Sequence, residues 1–200
     1  MKQLTVTTIA IPLFPLHTVL FPYGTLPLRI FEPRYLDMVS TCLKTEQGFG
    51  ICLIRNGSEI GEAAQTYETG TLSEITYFNQ QADGLLGITA SGKQRFHIIA
   101  TEVKSNQLTV AEVELIPNEE SSAIPDRYRP AVAILKRIFE NLGYPFAKIE
   151  KHYDDASWVG SRLAEFLPIS LEQKQYLLQL NDPLQRLDRI WSLLESLELR

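Results

Sequence analysis

The chain has 200 residues, 44% hydrophobic and 22% charged, with a formal net charge of −5 and a pI near 5.3. This is the balance of an ordinary globular chain, long enough for one large domain or two small ones. Acidic residues exceed basic ones in both parts, 11 to 8 over 1–117 and 13 to 11 over 118–200, which excludes the basic excess of a protein that neutralises many phosphates.

No apolar run reaches the roughly 18 residues of a membrane-spanning helix, so no membrane partner is expected. The first residues carry one lysine and an apolar stretch broken by prolines, without a small-residue cleavage site. No signal peptide is expected, and the expected compartment is the cytoplasm.

In chain order, Thr5-Val6-Thr7-Thr8-Ile9 is β-prone and leads toward a first strand. The stretch from Ile11 to Val39 holds five of the eleven prolines: Pro12, Pro15, Pro22, Pro27 and Pro33. Proline fixes φ and lacks an N–H, so short extended pieces joined by rigid corners are expected here. Leu26 to Ile30 reads as a strand. Glu32 then precedes Pro33, and proline suits the first helical position because the N–H it lacks has no helical partner there. Tyr35, Leu36, Met38, Val39, Cys42 and Leu43 follow at the 3–4 spacing of an amphipathic helix.

Glu46-Gln47-Gly48 is a turn, and Phe49 to Arg55 is an apolar run of strand length ended by the Asn56-Gly57 turn signal. Gly70 to Phe78 reads as a strand with an irregularity. Asp83-Gly84 is a hairpin-type turn. Leu85–Ala90 and Gln94–Ala100 read as two strands around Ser91-Gly92, and Leu108 to Ile116 alternates apolar and polar. The strand pattern by itself predicts antiparallel β structure.

Pro117 to Pro125, PNEESSAIP, reads as a linker. The period then becomes helical. Tyr128 to Leu142 places Val132, Leu135, Ile138, Phe139 and Leu142 on one face, with Gly143 as the stop. The stretch from Tyr144 to Tyr153 is irregular. Asp154 or Asp155 caps a helix carrying Trp158, Val159, Leu163, Phe166 and Leu167. Ser170-Leu171-Glu172-Gln173 is a capping box opening a helix with Tyr176, Leu177, Leu178 and Leu180. Asp182-Pro183 opens another, with the stripe Leu184, Leu187, Trp191, Leu194 and Leu197.

Several segments together resemble the Lon protease N-terminal, substrate-binding domain family. They are IPLFPLHTVLFPYGTLPLRIFEPRYLDMV at 11–39, GTLSEI at 70–75, GITASGKQRF at 87–96, SWVGSRLAEFLP at 157–168, and KQYLL with the later Arg186-Leu187. The resemblance implies an α+β fold: a PUA-like β pseudo-barrel over 1–117 followed by a C-terminal helical bundle over 118–200. It also implies a non-catalytic adaptor or chaperone-like module that binds unfolded polypeptide or a partner protein, Lon protease among the candidates, in a groove between barrel and bundle.

Full Lon proteases carry an ATPase and a Ser–Lys peptidase. The sequence has no G-x-x-x-x-G-K-[ST] loop to hold nucleotide phosphates, and no residue takes a catalytic role by the resemblance. Three alternatives stand beside the adaptor reading. They are RNA binding through the PUA-like part, small-molecule sensing by likeness to part of cereblon, and an enzyme of another type.

The chemistry-bearing residues are sparse. Cys42 and Cys52 lack a CxxC partner, and His17, His97 and His152 form no close pair, so neither a metal nor another cofactor is expected. Ser91 and Lys93 flank a glycine turn and read as a hairpin tip, rather than as a nucleophile and base. The candidate partner-binding residues are Arg29, Phe31, Glu32, Arg34 and Tyr35 at the strand–helix corner, with Arg95 beside Phe96. Charged residues in an apolar, proline-braced stretch need partners if buried. Glu32 therefore reads either as a helix cap locking the corner with an arginine, or as the rim of a binding groove.

Overall fold

The computed structural model describes residues 8–143 and 146–197. Thr5 to Thr7 of the first β-prone stretch, Tyr144 and the residue after it lie outside the described residues. The elements are β1 Thr8–Leu16, β2 Thr25–Ile30, α1 Pro33–Thr45, β3 Phe49–Asn56, β4 Gln65–Thr66, β5 Thr69–Gln80, β6 Leu86–Val103 and β7 Thr109–Leu115. Helices α2 Arg129–Asn141, α3 Ala156–Phe166, α4 Leu171–Gln179 and α5 Pro183–Ser196 follow. Among the described residues no helix is long and apolar enough to cross a membrane.

The sheet pairs in the order β1-β7-β6-β5-β3, and β1 also pairs with β3, so the ladder returns to its start. β2 lies along β6, and β4 along β3. Most pairs are antiparallel as expected, but β1 and β3 run parallel, because β2 and α1 intervene between them.

Three local expectations are corrected. Pro12 and Pro15 lie within one nine-residue strand rather than at corners. β1 pairs with β7 over Thr8–Pro12 and with β3 over Leu13–Leu16, so among the described residues each proline has a paired strand on one edge only. Ser91-Gly92 is not a turn, because β6 is one continuous 18-residue strand. Its register against β5 slips at Leu72/Ser73, so the glycine marks an irregularity that bends the strand. A Cβ on Gly92 would lie 2.3 Å from the Phe21 carbonyl oxygen, so the loop after β1 packs directly on that bend. Asn56-Gly57 opens a loop spanning 57–64 before β4, instead of a tight hairpin.

Among the described residues the core has three apolar clusters. One joins α1 to the sheet through Phe14, Ile30, Tyr35, Met38 and Phe49. A second lies within the sheet ring around Leu13, Phe96 and Val113. The third is largest and unites the helices through Trp158, Leu163, Leu187 and Ile190, with Val19, Phe21 and Leu53 from the strand region. Fully buried rings such as Phe49 and Phe96 each contribute about 2–3 kcal/mol by leaving water. The helix starts follow their expected caps. The Asp155 carboxylate accepts the Ser157 N–H, Ser170 and Gln173 form a capping box, and Asp182 accepts from Leu184 and Gln185.

Candidate functional site

The strand-to-helix corner is built as its sequence dictates. Glu32 is extended (φ −77°, ψ 135°), as a residue before proline must be, and Pro33 opens α1. The capping expectation is corrected, because the Glu32 side chain makes no cap hydrogen bond. It turns away from the helix start, accepting the Gly61 N–H at 3.2 Å and pairing with Arg34 at 3.2 Å.

Arg34 is 5% exposed and fastens three segments together. It donates to the Gln107 carbonyl (2.9 Å) in the β6–β7 turn, and to the Glu59 carbonyl (3.3 Å) in the 57–64 loop. Its guanidinium also lies 4.6 Å from the Tyr35 ring centroid. The Tyr35 ring stacks on Phe14 with centroids 4.2 Å apart. Burial pushes its phenol up to about 12, against the opposing pull of Arg34, so the group stays neutral across physiological pH.

Outside this lock lies a groove of about 290 Å³. Phe14, Leu16, Leu28 and Tyr35 contribute apolar walls, and Arg29, Phe31, Glu32 and Glu59 stand around them. Phe31 is 51% exposed, a large ring half in water at the end of β2. Arg29 ion-pairs with Asp83 from the β5–β6 turn. Glu59 accepts the His17 N–H at 2.6 Å. Apolar walls with a few oriented charges suit recognition of a partly apolar ligand. The structure thus gathers Arg29, Phe31, Glu32 and Tyr35 around one cavity, with Arg34 beneath them.

Arg95 lies elsewhere. It is 4% exposed within β6 and donates to the Leu178 and Leu180 carbonyls at 2.9 and 2.7 Å, at the end of α4. It also pairs with Glu119 at 3.2 Å. Glu119 in turn takes both terminal nitrogens of Arg186 and the Ser157 hydroxyl (2.6 Å). Burial pushes the Glu119 carboxyl up, but Arg186, Ser157 and Arg95 together outweigh it and hold the group below the usual carboxylate range.

The expected groove between sheet and helices is instead a packed seam. Gln175 donates to the Thr69 carbonyl (2.9 Å), Arg162 to the Pro22 carbonyl (2.7 Å), and Glu165 accepts the Phe21 N–H (3.0 Å). The apolar surfaces of both parts meet there in one cluster.

Sequence reading missed this seam. Glu119 sits in the stretch read as a linker. Arg162 and Arg186 did carry a signal: each occupies the apolar stripe of its helix, Arg162 four residues after Trp158 and Arg186 four before Ile190. A charged residue on a buried stripe announces a buried partner.

The family model for the ATP-dependent protease La (LON) substrate-binding domain matches residues 10–196. Lon protease 2 of Herpetosiphon aurantiacus is 29% identical over 198 residues, covering 92% of this chain and 23% of that protein. Protein cereblon of Gallus gallus is 29% identical over 111 residues, covering 54% of this chain and 24% of that protein. The crystal structure of a Lon N-terminal domain protein from Xanthomonas campestris superposes with a TM-score of 0.77 at 35% identity, covering 92% of this chain and 98% of that one. The chain thus spans about a quarter of the length of these curated relatives.

Proposed function

The chain belongs to the ATP-dependent protease La (LON) substrate-binding domain family, and from that premise we propose that it binds segments of unfolded polypeptide or of a partner protein without acting on them chemically. The proposed contact is the groove of Arg29, Phe31, Glu32 and Tyr35, held in shape by Arg34. The observation that carries this reading is Phe31, a half-exposed ring beside an apolar cavity whose Tyr35 wall stacks on Phe14 and lies against Arg34. An apolar side chain of the ligand buries against Phe31 and the cavity walls, while Arg29 and Glu32 orient its backbone or charges. Arg95 supports the seam instead of the contact.

On this reading the closed pairing of the sheet is the PUA-like pseudo-barrel of 1–117, and α2–α5 form the helical bundle of 118–200. The protein works in the cytoplasm as an adaptor that hands polypeptides to another machine, with a Lon ATPase the first partner to test.

The test is a titration into a fluorescently labelled unfolded polypeptide and, separately, a labelled structured RNA, each at low and moderate salt. Saturable polypeptide binding with weak salt dependence is expected. Binding to RNA alone, fading steeply with salt, overturns the reading in favour of a phosphate-binding surface.

A further inference from the structure

The ladder between β5 and β6 runs as far as the pair Thr69 and His97. Its last rung is the Ile98 N–H to the Glu68 carbonyl, 2.8 Å. Among the described residues, those next in line on the two strands do not pair with each other. Gln65 and Thr66 of β4 pair with β3 on their far edge, and Ile98 to Val103 of β6 pair with β7 on theirs. A register slip between Ile98 and Ala100 bends β6 at this point. The strands part as a fork around a groove of about 370 Å³, and among the described residues no strand pairs with the edge facing it on either side.

The β6 side of the fork has the composition of a strand that accepts another. Ile99, Thr101 and Val103 recur with period two and are all β-branched, and Ile99 and Val103 are 53% and 51% exposed. Exposed edges are often blunted by proline or lysine; residues Ile98 to Val103 contain neither, and carry Glu102 and the register slip. Glu68 lines the groove and is exposed, 3.9 Å from His97, and among the described residues that line it there is no lysine or arginine. The loop 57–64 joins this groove to the Phe31 site, because Glu59 lines one and Ala63 and Ala64 the other.

We propose that the fork receives an extended segment of the bound polypeptide as an added strand on Ile98–Val103, with β-branched or aromatic residues at alternate positions and a lysine or arginine beside Glu68. This rests on the polypeptide-binding reading and adds to it a second contact, made through the backbone.

The probe is a labelled peptide, Lys-Val-Thr-Val-Thr-Ile-Thr-Lys, with two variants N-methylated at odd or at even residues. N-methylation removes a donor and leaves the side chains in place. One methylated series is expected to bind at least tenfold more weakly and the other about as well as the parent. Amide hydrogen exchange within 98–103 is expected to slow at least tenfold on binding. The double variant I99K/V103K, at two exposed positions, is expected to lose the peptide and keep its Tm. Equal binding of both methylated series, or unchanged exchange at 98–103, overturns the proposal. Failure to bind this peptide while unfolded polypeptide still binds overturns it alone and leaves the Phe31 groove standing. A peptide-free dimer protecting the same amides overturns it in favour of a second copy as the added strand.

Discussion

Replacing Arg95 by methionine removes the cation that ties β6 to the end of α4. Three acceptors lose a donor, the Leu178 and Leu180 carbonyls and the Glu119 carboxylate. The Leu180 carbonyl keeps a donor in Arg186 (2.5 Å), and Glu119 keeps Arg186 and Ser157. Removing one member of a buried ion pair costs about 3–5 kcal/mol, and the surviving partners place this case at the lower end, about 3 kcal/mol. For a chain of this size each kcal/mol moves the melting temperature by about 2–4 °C, so a fall of about 6–12 °C is expected in a thermal melt followed by circular dichroism. Polypeptide affinity measured well below that temperature is expected to stay the same. A fall of less than about 2 °C, or lost affinity in a variant that melts normally, would refute the seam argument and return Arg95 to the binding surface.

Other outcomes follow from the same contacts. Because the folded Glu119 carboxyl titrates below its unfolded value, its contribution is present above the ordinary carboxylate range and is lost as pH falls through its folded pKa. Denaturant titrations at descending pH should show a shallower loss of stability in Glu119→Gln than in the parent, after allowing for the variant's lower starting stability. Gly70→Ala should cost about 1–3 kcal/mol by overpacking, since the new methyl would lie 2.6 Å from both Cys52 Sγ and Phe96 Cζ and 2.7 Å from the Ile51 carbonyl oxygen; urea unfolding checks it. Burial pushes both cysteine thiols up, Cys52 to about 12, so neither should react with a thiol reagent at neutral pH until the chain unfolds. Rapid labelling of the folded chain would contradict the packing of β3 and α1.

How much of this was legible depended on whether the signal was local. Helix starts were readable because a cap is a contact over three residues, as at Asp155, Ser170 and Asp182. The Pro33 corner was readable because proline restricts its neighbour. Strand partners were not, because pairing is non-local. Nothing near Pro12 announces that β1 changes neighbours there, and nothing near Gly92 tells a bend from a turn. The site split the same way. Arg29 to Tyr35 came together because they are adjacent in sequence. Arg95 was grouped with them by residue type, whereas its partners Glu119, Leu178 and Leu180 lie 24 to 85 residues further along the chain. Glu59 joined the groove only through the fold of the 57–64 loop.

The central claim is that the groove around Phe31 holds polypeptide, and its most direct test is the variant Phe31→Lys. Burying the exposed half of that ring against a ligand contributes about 1–1.5 kcal/mol, which is roughly a tenfold change in Kd, and the new charge adds to the loss. The measurement is an anisotropy titration of labelled unfolded polypeptide with parent and variant, with a melt of each preparation. The account predicts at least tenfold weaker binding at a melting temperature within about 2 °C of the parent. Unchanged affinity, or a loss that comes only with a lower melting temperature, would contradict it.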